Sequence, residues 1–282
     1  MRPVLRWRNV LLGVGALLLA FAAWDASRVA APLSAAPAPP PPWGTVKGRV
    51  LWGADKVPER EALNVNKDRD VCLKNGPILS EALVIDRTSL AVRDVFVWLM
   101  VDSRESDDVL KPPPIHPDLK MAKEKFVTLT VSCCRFEPHA FALREAQIVS
   151  VSVPGPIAHN VKIDCSPDAG NQSFSLLLPP GGKTEIGPFK AQRLPLPVSD
   201  SIHAWMSAWC RVFNHPYFFV TGEDGKFELA NAPAGRFRLV VWHPEIGWAV
   251  GEKQPDRFGV PVEIKAGGTT DLGDLKVKPR DD

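Results

Sequence analysis

The stretch VSDSIHAWM, residues 198–206, places three side chains that can ligate a metal at intervals of three residues. Asp200 offers a carboxylate, His203 an imidazole and Met206 a thioether. Copper and zinc accept ligands of these kinds, so one loop could direct several of them at a single ion. The pattern raises three alternatives: a metal-binding loop, a metal-binding loop that has been damaged, or three unrelated residues in a turn.

The elements around this loop read as strands. Short apolar runs are separated by 28 prolines and 20 glycines, a pattern that favours many strands and turns over long helices. Residues 44–53, GTVKGRVLWG, alternate valine with small or charged residues and end in a glycine turn, which is typical of a half-buried strand. Residues 218–243 contain two turn signals, GEDG and APAG, and predict a β-hairpin. We therefore predict an all-β fold.

The N-terminal residues predict export. Residues 1–29 contain three early arginines and then the apolar run VLLGVGALLLAFAAW, which is the layout of a signal peptide. The run is shorter than the roughly twenty residues of a spanning helix, and both a cleaved signal and an uncleaved membrane anchor remain open. Residues 30–43 are rich in proline and alanine and predict an extended spacer. We expect a periplasmic or cell-envelope protein, associated with the membrane if the segment is uncleaved.

Charge and motif content exclude several function classes. The net charge is +2, but the first 30 residues hold four arginines and one aspartate, so the remainder carries a charge of −1 and predicts no nucleic-acid partner. The five cysteines form no CxxC pair, which argues against a zinc knuckle. The sequence contains no HExxH motif and no evident Ser-His-Asp set. We therefore expect that the protein is not an enzyme.

Several motifs together carry a family resemblance. AHNVKI, residues 158–163, and DSIHAWM, residues 200–206, resemble the two copper-ligand segments of cupredoxins. With PPPIHPDL, CRFEPH, LPPGG and GKFEL they resemble exported bacterial, planctomycete-type cupredoxin-like proteins that carry a carboxypeptidase-regulatory-like β-sandwich segment and are related to methylamine utilisation and plastocyanin-like proteins. The resemblance implies a cupredoxin-like Greek-key β-sandwich and a regulatory-like sandwich of the CnaB or prealbumin-like type.

The resemblance also implies a division of the chain. Residues 44–125 would form an N-terminal β segment with a surface loop at 103–125, residues 126–215 the cupredoxin-like domain, and residues 216–282 the regulatory-like segment. The opening GTVKGRV resembles the first strand of a regulatory-like sandwich whose other strands follow position 220. We therefore expect the first strand to pack with the late strands, so that residues 44–282 form one unit.

The ligand set implied by the resemblance is His159, Asp200, His203 and Met206, but with one departure. Asp200 stands where a cupredoxin has its cysteine, and a carboxylate cannot supply the copper–thiolate bond of a blue site. The resemblance thus implies a degenerate copper site that binds copper weakly or not at all. The alternative is structural: both histidines are ordinary polar residues at strand ends, and Met206 plugs the end of a sandwich beside Trp205.

The resemblance further implies a disulfide between Cys72 and Cys134, because the family carries a cysteine at both places. Cys165 and Cys210 are then the next plausible pair, which leaves Cys133 free. The other four histidines have simple structural interpretations. We expect buried imidazoles at His139 and His243, a turn at His215 and a loop residue at His116.

Tryptophans near the loop leave one more alternative open. An aromatic platform that stacks on a sugar could be formed by Trp205, Trp209, Trp242 and Trp248. Tryptophans of this kind are more commonly packed in a core. The interpretation favoured by the sequence is an exported, non-enzymatic protein with a binding or structural role at the cell envelope. A copper-binding or electron-transfer protein and a module that binds carbohydrate or an envelope protein are the alternatives.

Overall fold

The structure is a computed structural model that describes residues 42–132 and 134–279. The predicted signal or anchor, most of the predicted spacer and Cys133 lie outside the described residues. Among the residues that are described, no helix is both long enough and apolar enough to cross a membrane.

The described chain is almost entirely β structure, which confirms the predicted fold class. Its helices are short: α1 (Arg69–Cys72) and three 3-10 helices, Ser106–Leu110, Pro117–Leu119 and Pro167–Ala169. The strands are β1 (Trp43–Trp52), β2 (Phe96–Val101), β3 (Phe126–Ser132), β4 (Arg135–Glu137), β5 (Ala140–Arg144), β6 (Ile148–Ser152), β7 (His159–Ile163), β8 (Phe174–Leu178), β9 (Lys183–Ile186), β10 (Leu196–Ser199), β11 (Ser207–Phe213), β12 (Phe218–Val220), β13 (Lys226–Pro233), β14 (Gly235–His243), β15 (Gly247–Trp248), β16 (Val260–Ile264) and β17 (Thr269–Val277).

One sandwich combines the two ends of the described chain, and we call it the terminal sandwich. Its first sheet has the order β13–β1–β17, and its second has the order β12–β2–β14–β15 with β16 paired to β14. Strand β1 is antiparallel to β13 and parallel to β17. Val50 of β1 and Leu239 of β14 are fully buried in the core between the two sheets. This pairing confirms that the first strand packs with the late strands.

The predicted hairpin of residues 218–243 is wrong. Strand β12 pairs with β2, β13 pairs with β1 and β14 pairs with β2, so consecutive strands belong to opposite sheets. Gly235, with a φ of 113°, begins β14 where the chain crosses between the sheets. Phe227 of β13 and Val241 of β14 are buried in one core. The apolar faces of β13 and β14 thus meet across the core between the two sheets instead of lying side by side in one sheet.

The other sandwich, the central sandwich, lies between these terminal strands in sequence. Its sheets have the orders β5–β11–β10–β7–β8 and β4–β3–β6–β9. Apolar residues of β3, β6, β7, β10 and β11 fill the core between them. Residues 61–80, which precede β2, add Val65, Cys72 and Ile78 to the same core. We call residues 61–80 the covering segment.

Strand β2 is buried on both faces. Val97 and Leu99 face the terminal core, whereas Phe96, Trp98 and Met100 belong to an aromatic-rich cluster that also contains residues of β5 and β11 from the central sandwich. The unbroken apolar sequence FVWLMV follows from this position, because a strand covered on both faces has no polar side. This aromatic cluster therefore forms the contact layer between the two sandwiches. Residues 41–282 form one compact unit.

Candidate metal centre

Strand register brings His159 and Asp200 together. Strands β7 and β10 are antiparallel neighbours, with Ile163 opposite Val198 and Lys162 opposite Ser199. His159 begins β7, and Asp200 directly follows β10, so both residues lie at the same end of this strand pair. Because side chains alternate between faces along a strand, His159 and Asp200 share the inward face with Ile163 and Val198. The pair thus lies at one end of the central core.

The loop from Asp200 to Met206 is folded by its own hydrogen bonds. One carboxylate oxygen of Asp200, Oδ1, accepts hydrogen bonds from the backbone amides of Ile202 at 2.7 Å and His203 at 3.1 Å. The amide of Met206 donates to the carbonyl of His203 at 2.9 Å, and β11 begins at the next residue. An aspartate that caps nearby amides in this way favours a tight turn, and here the turn points the His203 ring back at Asp200.

The other carboxylate oxygen of Asp200 faces two imidazoles. Oδ2 lies 2.7 Å from Nδ1 of His159 and 3.2 Å from Nδ1 of His203. One ligand atom from each of the three residues lies within 4.8 Å of the other two, and all three residues are buried. The ring centroids of the two histidines are 4.6 Å apart. His159, Asp200 and His203, which the family resemblance brought together, therefore do converge.

The carboxyl of Asp200 is held in its ionised form. Burial raises its pKa, but a hydrogen bond with His159, the amides of Ile202 and His203, and the His203 ring together outweigh burial and hold the pKa below its usual value. A buried carboxylate with two imidazole nitrogens beside it is a good ligand set for a cation.

Asp68 is a member of this site that the sequence analysis missed. Its Oδ2 lies 2.9 Å from Nε2 of His203, at the opposite side of the ring from Asp200. Asp68 immediately precedes α1, in the covering segment. The available signal was indirect: Asp68 lies four residues before Cys72, for which the family resemblance implied a disulfide to Cys134.

The position of His203 between two carboxylates favours positive charge beside the ring. A carboxylate is only an acceptor, so Nε2 beside Asp68 carries a hydrogen. The other nitrogen, Nδ1, then needs either a second proton or a cation to lie favourably beside Asp200. His203 therefore lies where a cation beside Nδ1 would be stabilised by the carboxylate of Asp200.

The three inward residues fit zinc or divalent copper. Ligand atoms bound about 2.0–2.2 Å from one such ion lie roughly 3.3 Å apart in a tetrahedral set. Oδ2 of Asp200 lies 2.7 Å from Nδ1 of His159 and 3.2 Å from Nδ1 of His203, so these atoms need to move apart only slightly to accept an ion. Two imidazoles and a carboxylate suit Zn(II) or tetragonal Cu(II) and lack the thiolate of a blue copper site.

No protein-family model matches the sequence. No curated protein matches it either. Solved structures that match include an oxidised amicyanin mutant (10% identity, TM-score 0.28, 40% of this chain and 97% of that chain) and a reduced amicyanin mutant (11% identity, TM-score 0.28, 32% and 85%). A copper-containing nitrite reductase from Thermus scotoductus SA-01 matches with 18% identity and a TM-score of 0.29, over 37% of this chain and 26% of its own.

Met206 is part of the central core. Its side chain is buried, and with Cys134 and His139 it lines a cavity of about 30 Å³. Trp205 lines the same cavity and packs its ring edge against His203 at 5.2 Å. Within the described chain, His139 Nε2 and Trp205 Nε1 are buried without a hydrogen-bond partner. Packing of Met206 and Trp205 at this end of the core agrees with the structural alternative for these two residues.

The remaining histidines lie outside the three-residue group. His139 and His243 are buried, as expected. His215 accepts the amide of Tyr217 through Nδ1 and so stabilises the expected turn. His116 accepts the amide of Asp118 and packs against Trp43.

The tryptophans suggested as a sugar platform pack inside the molecule. Trp209 lies edge-on to Trp242 at 5.3 Å, and Trp248 lies edge-on to Trp98 at 6.0 Å. Trp209, Trp242 and Trp248 pack against the aromatic cluster between the two sandwiches, whereas Trp205 packs against the central core. Core packing therefore accounts for their positions.

The cysteines confirm one expectation and correct another. Cys72 and Cys134 form a disulfide. Cys165 and Cys210 are both buried free thiols, so the second suggested pair is wrong. Cys210 on β11 lies opposite Leu196 of β10, and β10 separates β11 from β7, which ends just before Cys165. Two strand spacings are about 10 Å, beyond the Cα separation that a disulfide can bridge.

Proposed function

We propose that this is an exported, non-enzymatic metal-binding protein that holds divalent copper or zinc with His159, Asp200 and His203. The observation that carries the proposal is the buried Oδ2 of Asp200 beside Nδ1 of both histidines. The metal would act as a bound divalent cation at the end of the central sandwich. The chain's own contribution is to hold the two rings by strand register and by the turn of residues 200–206.

We further propose that the central sandwich is cupredoxin-like, and that the terminal sandwich corresponds to the carboxypeptidase-regulatory-like segment of the planctomycete-type family. The ligand positions support the first assignment, because His159 begins a strand and the second histidine lies in a loop between two paired strands. Export is supported by the disulfide, since such bonds persist in oxidising compartments.

The test is metal titration of the purified protein. Isothermal titration with Zn(II) and with Cu(II), together with elemental analysis after dialysis, should give one ion per chain. His159→Ala and His203→Ala should each weaken binding by at least a hundredfold, because each removes one of three ligands. His116→Ala is the matched control, since His116 lies on a separate loop. Equal binding by all four proteins would place the metal elsewhere.

The copper spectrum gives a second, independent criterion. A copper ion bound by two imidazoles and a carboxylate has no thiolate to generate an intense blue charge-transfer band. The Cu(II)-loaded protein should therefore be colourless or faintly coloured, with a tetragonal signal in electron paramagnetic resonance. An intense blue colour in the wild-type protein would rule out this ligand set.

A purely structural role is the second candidate, and the two carboxylates around His203 favour it as well. In that case Asp68, His203 and Asp200 form a hydrogen-bonded bridge between the covering segment and the central sandwich, with Asp68 at its solvent-exposed end. His203→Ala would then lower stability by about 3–5 kcal/mol without any metal effect, because one partner of buried charges is removed. Absence of bound Zn(II) and Cu(II) in the wild-type titration would favour this role.

A further inference from the structure

We infer that Asp68 is a positioning residue, and that the covering segment it belongs to is the gate through which metal enters and leaves the site. The inference rests on the proposed metal-binding function, and it adds a control of access to that site. The contact that orients the ligand joins Asp68 to His203, and the element that closes the site is the covering segment.

His203 is enclosed by four neighbours. The ring packs at 4.6 Å from the His159 ring and at 5.2 Å from Trp205, measured between centroids. Asp200 occupies the Nδ1 side and Asp68 the Nε2 side. The side chain of His203 is 0% exposed, whereas that of Asp68 is 36% exposed. Asp68 therefore lies between the buried ring and solvent.

Asp68 is held in place by local and long-range bonds. Its carbonyl accepts the amides of Val71 at 3.0 Å and Cys72 at 2.9 Å, which makes it the N-cap residue of α1. It adopts a left-handed conformation with a φ of 47°, which aspartate tolerates better than most residues other than glycine. Four residues further along the chain, Cys72 is bonded to Cys134 of the central sandwich.

The rest of the covering segment is fastened by packing. Val65 and Ile78 are buried in the central core on either side of α1. The two arms of the segment are joined by the amide of Leu63, which donates to the carbonyl of Ile78 at 2.7 Å. The covering segment contributes no strand to the sheet β5–β11–β10–β7–β8 that carries the ligands, so a local opening at Asp68 would break none of that sheet's strand pairs.

Asp68 also determines which ring nitrogen of His203 faces the metal. Its carboxylate requires a hydrogen on Nε2, which leaves Nδ1 as the nitrogen directed at Asp200. A carboxylate on the second nitrogen of a ligating histidine fixes the tautomer and the ring orientation, and loss of such a partner typically weakens metal binding by 10–100-fold. Asp68 thus both orients the ligand and closes the site.

The first experiment measures, in the absence of metal, how well the covering segment protects His203. Metal-free protein is treated with diethyl pyrocarbonate, and modification of each histidine is followed by peptide mass spectrometry. In the wild-type protein His203 should react slowly, whereas His116, with an 18% exposed side chain, should react readily. In Asp68→Ala the rate at His203 should rise at least tenfold. Asp68→Asn should stay near the wild type, because its amide oxygen still accepts from Nε2.

The second experiment measures release of Zn(II) to a chromophoric chelator in excess. Asp68→Ala should release the metal at least tenfold faster than the wild type, with Asp68→Asn between the two. Asp70→Ala is the control, because Asp70 is an exposed carboxylate on the same short helix and α1 keeps its other contacts. Unchanged thermal unfolding midpoints would exclude general loosening of the fold as the cause.

The outcomes distinguish the proposed metal-binding function from the inference that Asp68 and the covering segment control access to the site. If wild-type protein binds no metal, the proposed function fails, and the carbethoxylation experiment still decides whether Asp68 covers His203. If Asp68→Ala leaves both the reactivity of His203 and the zinc release rate at wild-type values, the gate inference is overturned while the metal site stands. Faster release in Asp70→Ala of equal size would also overturn it, because the effect would then reflect charge alone.

Discussion

Asp68 Oδ2 and His203 Nε2 lie 2.9 Å apart although 135 residues separate them in the chain. This contact joins the covering segment to the ligand loop. It means that the candidate metal centre is assembled from three regions: the segment before β2, the first residue of β7 and the loop after β10. Its integrity therefore depends on the packing of the whole central sandwich.

Replacing Asp200 by cysteine tests whether only the thiolate is missing from a blue copper site. If the ring nitrogens are already placed, Asp200→Cys should give an intense blue band with Cu(II), and removal of His159 or His203 from that variant should abolish it. Met206→Leu in the same background should have little effect, because an axial thioether binds weakly. A folded, copper-loaded Asp200→Cys protein that stays colourless would show that the loop geometry has diverged.

The disulfide should contribute substantially to stability. Cys72 and Cys134 are 62 residues apart, and closing a loop of that size contributes about 4 kcal/mol on the chain-entropy model. The double variant Cys72→Ala, Cys134→Ala should lose about that amount in urea unfolding at neutral pH.

Thiol mapping provides the control for the disulfide. Unreduced protein should show Cys165 and Cys210 alkylated only after denaturation, because both thiols are buried. A bond between these two cysteines in mapped peptides would contradict the strand order β11–β10–β7.

Two buried histidines should make the fold sensitive to acid. Burial, with help from Arg211 and Arg144, lowers the pKa of His215 to about 3, and burial lowers that of His243 to about 3 as well. Below the ordinary histidine pKa of about 6.5 the unfolded chain takes up protons that the folded chain does not. Stability is therefore fully present above that pH and falls as the pH drops towards 3.

Urea unfolding at several pH values measures this effect. Between pH 6 and pH 5 the two residues together should lower the free energy of unfolding by about 2 kcal/mol. His215→Asn, whose side-chain oxygen can still accept the Tyr217 amide, should remove roughly half of that loss. His116→Asn, at a more exposed position, should leave the slope unchanged. A flat profile between pH 7 and pH 5 in the wild type would refute the prediction.

Arg211 is a buried cation in an apolar layer. Its guanidinium lies 3.8 Å from the centre of the Trp98 ring and 4.7 Å from that of Phe213, and within the described chain its Nε and Nη1 have no hydrogen-bond partner. Burial lowers the pKa of Arg211 to about 9. Burying charge without full pairing is costly, and an apolar residue of similar length often stabilises such a position.

Chemical denaturation of two variants tests the cost of this charge. Arg211→Met should leave the free energy of unfolding unchanged or raise it, by up to about 3 kcal/mol. Arg211→Ala should lower it, because the cavity between the sandwiches then outweighs the removal of the charge. A large loss in Arg211→Met would mean that the stacking on Trp98 contributes more than the desolvation costs.

The sequence by itself determined the properties that depend on nearest neighbours along the chain. Alternation at GTVKGRVLWG identified β1, and turn residues marked the ends of β13 and β14. The ligand types in VSDSIHAWM were evident from the residues alone. The likeness to a known family added His159 and the Cys72–Cys134 disulfide.

Only the tertiary structure decided how these pieces meet. Local patterns describe which face of a strand is apolar, but not which sheet covers that face, so β13 and β14 were wrongly joined into one hairpin. The same limit applies to Cys165 and Cys210, whose separation depends on the strand placed between them. Asp68 contacts His203 because a disulfide and a shared core hold a distant segment against the ligand loop. A contact between residues that are 135 positions apart leaves no periodic signal in the sequence.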